Sequence, residues 1–169
     1  SVDTAFVLFS DSERSYLLTS YSTVAAATVE PGPAITVRGR DGELGATLTS
    51  WDPGRDLALL VAEDVPNLPA IEVADPSSVE TGARLFAVSG LGSDGASIVQ
   101  GVVADVASDG IQHDVPVGVQ FRGGPLLDAD GRLVAIASRS YAPLPFAPEA
   151  VFFGVPVREA CAEVVQCPT

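Results

Sequence analysis

Lysine and methionine are missing from this chain of 169 residues, and histidine and tryptophan occur once each. All nine basic residues are arginine, set against 22 acidic residues, so the formal charge is −13. Phosphate backbones and anionic membrane surfaces are held mainly by Lys and Arg, which excludes nucleic acid and such membranes as main partners. No apolar run approaches the ~20 residues of a bilayer span, so this segment is not expected to insert into a membrane, and no signal-like stretch is present. A first residue other than Met is what an excised domain or a processed form shows, with any anchor or signal cut away. Cysteine is scarce too: Cys161 and Cys167 fall in the last nine residues. Two thiols and the distant His113 do not make a four-ligand metal set, so no metal is expected, and no cofactor is called for. The two cysteines can bridge if a helix ends between them; two free thiols are the alternative. A bridge would place the domain in an oxidising compartment.

Apolar residues are plentiful, at 47% against 18% charged. A chain of this size buries roughly 70% of its unfolded surface, which offsets chain entropy and argues against disorder. The period is that of strands. Val-, Ile-, Leu-, Phe- and Thr-rich runs predict strands at Thr4–Phe9, Tyr16–Thr19, Thr23–Ala26, Ala34–Arg38, Gly45–Ser50, Leu57–Val61 and Ala70–Val73. Further runs lie at Arg84–Val88, Ala96–Val106, Gly110–Asp114, Pro125–Leu127, Leu133–Ser138 and Ala150–Phe153. Turn pairs such as Asp41-Gly42, Asp109-Gly110 and Asp130-Gly131 separate them. Helical spacing is confined to Val157–Val165, with Pro156 suited to its first turn. A linker-like stretch, Ala74-Asp75-Pro76-Ser77-Ser78, divides the chain into two strand-rich parts. A cleft between two such lobes is a common place for a site. The glycine-rich run Gly90–Gly95 is read as a flexible loop, since no helix and no Lys follow it as a phosphate cradle would need.

Three stretches carry the strongest pattern. They are Leu17-Leu18-Thr19-Ser20-Tyr21-Ser22-Thr23-Val24, then Asp52-Pro53-Gly54-Arg55-Asp56-Leu57-Ala58, then Ile111-Gln112-His113-Asp114 running on to Gln120-Phe121-Arg122-Gly123-Gly124-Pro125-Leu126. Their order and spacing resemble the trypsin-like serine proteases, most closely the bacterial HtrA-type branch, which shows ILTNxHVV, DPxxDLAVL and IQTDAxINPGNSGGPLLD. Two further blocks, Leu85–Gly90 and Ser97–Val103, and the entry Gly154-Val155-Pro156-Val157 fit the same order. The resemblance implies an all-β fold of two packed six-stranded antiparallel β-barrels with a short C-terminal helix. Residues 1–76 would form the first lobe and 77–169 the second, together one protease-like domain.

The same resemblance implies a degenerate triad. The position of the family's histidine is Ser22, that of its serine is Arg122, and that of the oxyanion-hole glycine is Gln120; Asp56 matches the orienting carboxylate. A serine hydroxyl has no useful basicity near neutral pH, and a guanidinium stays protonated and cannot attack a carbonyl. Gln120 also adds a Cβ where glycine's conformational freedom is expected to matter. The chain is therefore expected not to be an enzyme but an extracytoplasmic binding or regulatory module, with no catalytic residues. A peptide or protein would lie in the inter-barrel cleft, near Phe121, Arg122, Gly123, Gly124 and His113. His113 itself is read as a partly exposed strand residue. Arg122 is expected to cross to Asp56, and the loop Tyr141–Phe146 to line or cover the former specificity pocket. Two alternatives are a serine-type endopeptidase with a non-standard site and a structural or sensory domain of a larger envelope protein.

Overall fold

The computed structural model describes residues 3–92, 95–138, 141, 143 and 151–167. The expected strand Ala150–Phe153 falls partly outside these residues, as does most of the loop Tyr141–Phe146.

The first half folds as an antiparallel sheet of β1 (Phe6–Ser10), β2 (Arg14–Thr19), β3 (Ile35–Gly39), β4 (Gly42–Asp52) and β5 (Leu57–Glu63), in the order β1-β2-β5-β4-β3. The β1–β2 turn is set by Asp11, whose carboxylate accepts the amides of Glu13 and Arg14, each at 2.8 Å. β5 reads as an unbroken apolar run because both of its faces are covered, and Leu57, Ala58, Leu60 and Ala62 are buried.

This sheet corrects the expected first barrel. It has five strands rather than six, and it is not closed among the described residues. The run Ala70–Val73, predicted as strand, forms a single bridge from Val73 to Leu133 and one bond from the Ile71 amide to the Val7 carbonyl. Pro66 and Pro69 stand just before it. Proline has no N–H to donate and Asn67 sits at φ +58°, so no regular ladder runs through residues 66–69. Thr23–Ala26, also predicted as strand, is helical: α1 (Tyr21–Val24) continues into a 3-10 turn over Ala25–Thr28. The run of three alanines that follows Val24 favours a helix over the β-branched pair Thr23-Val24.

The second half does close. β6 (Arg84–Ser89), β7 (Ser97–Val106), β8 (Ile111–His113), β9 (Pro125–Leu127), β10 (Leu133–Ala137) and β11 (Phe152–Pro156) form a six-stranded barrel in the order β10-β11-β8-β7-β6-β9. The chain then enters α2 (Val157–Ala160) and a π-helical turn over Cys161–Val165. A disulfide joins Cys161 to Cys167. No described helix is long and apolar enough to cross a membrane.

One apolar cluster belongs to both halves. Phe6, Leu8, Leu18, Leu57 and Leu59 from the first sheet pack with Leu133, Ile136 and Val155 of the barrel and with Ala160 and Val164 of the terminal helix. Each fully buried aliphatic side chain contributes about 1.5–3 kcal/mol, so this shared core holds the sheet and barrel in register. The same contact brings the end of β2 against the loop between β8 and β9.

Candidate functional site

From the first sheet, the site takes the end of β2 and the turn before β5. Asp52 accepts the amides of Gly54 and Arg55 at 2.8 and 3.1 Å and closes a tight turn. That turn delivers Asp56 in the left-handed region at φ +55°, with its side chain inside the protein. Its two oxygens are engaged separately: Oδ2 accepts the Ser20 hydroxyl and Oδ1 the Ser22 amide, both at 2.8 Å. The Asp56 carbonyl accepts the Tyr21 amide. Asp56 is thus satisfied by neutral donors, as a buried carboxylate must be if it lacks a cation. Ser20 is fully buried and its hydroxyl lies 2.8 Å from that of exposed Ser22. A serine has one proton to give. With that of Ser20 on Asp56, Ser22 is the donor in a chain Ser22–Ser20–Asp56.

From the barrel, the site takes residues 118–124, where a 3-10 turn covers Val119–Phe121. The amide of Phe121 donates to Gly118, that of Arg122 to Val119, that of Gly123 to Ala137 and that of Gly124 to Phe121, at 2.9–3.2 Å. These four successive amides are all committed to protein carbonyls, so none points freely at a place where a substrate oxyanion would develop. Gln120 is exposed and lies inside the 3-10 turn, which any residue can adopt. Glycine's freedom is needed three residues later. Gly123 has φ +78°, and an added Cβ would stand 2.2 Å from the Ser20 nitrogen.

Arg122 and Asp56 do not pair directly. Arg122 meets Asp3 instead: Nε and Nη2 both donate to Asp3 Oδ2, at 3.0 and 2.6 Å. The Asp3 side chain is fully buried and Arg122 keeps 21% of its side-chain surface. Two further contacts fix this register. The Thr4 amide donates to the Arg122 carbonyl, and the Thr4 hydroxyl donates to the Gln120 carbonyl at 2.5 Å. Asp56, already bonded twice, has no need of the guanidinium.

The other candidates are placed as follows. Phe121 is 3% exposed and packs into the barrel core with Val115, Val117 and Leu126, so it fills a pocket rather than lining an open one. Gly123 and Gly124 are buried. His113 is fully buried, not partly exposed, because β8 is flanked by β7 and β11 and its alternate residues turn inward. Its Nδ1 accepts the Val115 amide at 3.2 Å, its Nε2 has no partner, and burial pushes its pKa down to about 4 against a small opposing pull from Asp114. A side chain with no exposed surface cannot touch a ligand in the cleft. Arg122 is therefore the one proposed cleft residue that reaches solvent. Among the described residues no three His, Cys, Asp or Glu side chains cluster as metal ligands would. Sequence reasoning missed Asp3, Thr4 and Ser20. Ser20 alone left a signal, two residues before Ser22 at a strand end.

The trypsin-like peptidase domain is the family description that matches, over residues 3–136. The chain belongs to that family. Among curated relatives, this trypsin-like domain is 28% identical over 143 residues to the periplasmic serine endoprotease DegP of Escherichia coli K12, covering 79% of this chain and 29% of that protein. It is 31% identical over 150 residues to a probable periplasmic DegP-like serine endoprotease of Pseudomonas putida W619, covering 83% of this chain and 29% of the relative. The chain thus spans less than a third of these relatives. Among solved structures, the HtrA-type protease AlgW with a decapeptide superposes with a TM-score of 0.73 at 27% identity, covering 95% of this chain and 49% of that one.

These relatives correct one expectation. They are named serine endoproteases, and the matching family is one of peptidases. They point to an enzyme, so the expectation that the chain is not one does not stand. What the residues establish is narrower: Arg122 cannot be an attacking group.

Proposed function

We propose that this trypsin-like domain holds an extended peptide or protein segment in the cleft between two lobes, residues 1–76 and 77–169, outside the cytoplasm. Ser22, Asp56 and Arg122 would mark the family's triad positions, and Gln120 its oxyanion position. The observation that carries the proposal is the Arg122–Asp3 pair, which fills the nucleophile position with a held cation while leaving part of it open to solvent. Main-chain bonding of an extended peptide needs no triad. The solved HtrA-type relative is described with a decapeptide, and curated relatives are named periplasmic. The Cys161–Cys167 bridge suits an oxidising compartment.

Fluorescence-polarisation titration with a mixed library of labelled extended peptides tests it. Saturable binding that is weakened by Arg122→Glu is the expected result. No binding at any concentration, by a chain whose melting is normal, would refute it.

A second reading, hydrolysis at a non-standard site, is favoured by the relatives' names and by the Ser22–Ser20–Asp56 chain. In it, Ser22 Oγ adds to the substrate carbonyl carbon, the C=O π pair moves onto oxygen, and the Ser22 proton passes to Ser20 as that of Ser20 passes to Asp56. The proton returns along this chain to the amine as the C–N bond breaks, and water then releases the acyl group from Ser22. Turnover of the same library that disappears in Ser22→Ala would assign it.

A further inference from the structure

Away from the cleft, a groove of about 260 Å³ opens on the barrel's surface. Val73, Ala74 at the start of the linker, Val106 and Ala107 at the β7–β8 turn, and Val134 and Val157 give it apolar walls. Val73 and Val106 remain 44% and 39% exposed, so apolar surface is left facing water at its rim. It shares no residue with the site around Asp56 and Arg122.

Two features say what kind of molecule fits. The first is charge. In a chain with 22 acidic residues the lining holds none among the described residues, and its sole charged member among them is Arg158. The Arg158 guanidinium is two-thirds exposed and donates to the Ser108 carbonyl at 2.9 Å. Among the described residues its nearest acid, Glu159, stands 4.0 Å away and is bonded to Arg55 through its other oxygen at 3.0 Å. Arg158 therefore shares a distant counter-ion with Arg55 and keeps exposed donors at one end of an apolar trough. The second is the lack of main-chain partners. The strands beneath belong to a closed barrel with no free edge. The amides of Ala74, Ser78, Val79 and Ala107 already donate to protein carbonyls. A peptide laid here would bury N–H and C=O groups with nothing to bond them, a cost an alkyl chain does not carry.

We infer that this groove is a binding site for a free aliphatic monocarboxylate, a medium-chain fatty acid with its alkyl chain along the trough and its carboxylate on Arg158. A guanidinium takes a carboxylate through two parallel N–H bonds, which gives the head group its selectivity.

The experiment is a titration of the ¹⁵N-labelled chain with sodium octanoate, octanol and octylamine, followed by amide chemical shifts. Octanoate is expected to move the signals of Ala74, Ala107 and Val157 saturably. Octanol should bind about tenfold more weakly and octylamine not at all. Arg158→Gln, a change at an exposed side chain, is expected to bring octanoate to octanol's affinity and leave octanol unchanged. Equal binding of the three amphiphiles, shifts centred on other residues, or no shift at millimolar octanoate would each overturn the inference.

Discussion

A histidine with no exposed surface and an unbonded Nε2 is a stability element with a defined pH dependence. The folded protein keeps His113 neutral down to about pH 4, because protonation would bury a charge without a partner. An unfolded histidine takes its proton near pH 6.5. As pH falls, the unfolded chain therefore binds the proton first. The contribution of His113 is whole above pH ~6.5 and is lost progressively toward pH ~4, about 3 kcal/mol in all. Urea unfolding at several pH values in this window should give a steeper fall for the native chain than for His113→Gln. Parallel curves would show that the folded state protonates His113 freely. Phe152, stacked on the imidazole at 5.9 Å, helps seal it from water.

At the scale of elements, the loop 118–124 and the end of β2 meet backbone to backbone. Gly123→Ala is expected to cost more than about 4 kcal/mol, since it combines a strained φ with a Cβ driven into the Ser20 nitrogen. Thermal melting checks it, and Gly131→Ala is the control. Gly131 has nearly the same φ, +77°, but open space for a Cβ, so its cost should stay near 1–2 kcal/mol. The barrel strands were legible in the sequence from two patterns, alternating burial as in Arg84–Ser89 and an unbroken apolar run after a turn pair as in Leu133–Ala137. The failures have local causes. Thr23-Val24 looked like a strand, yet the alanines after it and the Asp56–Ser22 bond favour a helical turn. Ala70–Val73 has strand composition, but its bonds are divided, Ile71 donating to Val7 of β1 while Glu72 accepts from Leu133 of β10, so it forms a regular ladder with neither. In the site, Ser22, Asp56 and Arg122 were legible as positions because motif spacing survives substitution. The partner of Arg122 was not, because Asp3 lies 119 residues away and carries no local pattern.

At the scale of the whole molecule, a charge of −13 on 169 residues is a repulsive field that opposes compactness. Most arginines with assigned contacts sit in small local pairs, such as Arg38 with Glu43 and Arg132 with Glu72 and Asp130, which leave the net field in place. Raising NaCl from about 0.02 to 0.5 M shortens the screening length severalfold. The melting temperature should rise by a few degrees, as a change of about 1 kcal/mol does in a domain of this size. A fall would mean that specific ion pairs outweigh the general repulsion.

The clasp between Asp3–Thr4 and residues 120–122 also has a mechanical meaning. Tension applied ahead of residue 3 reaches the loop directly, through two carbonyl contacts and one ion pair, alongside the bond from Thr19 of β2 to the Thr4 carbonyl. A tag, a surface tether or a neighbouring domain attached on that side would act as a pull-cord on the backbone around Arg122, and its stiffness would set how firmly that loop is held.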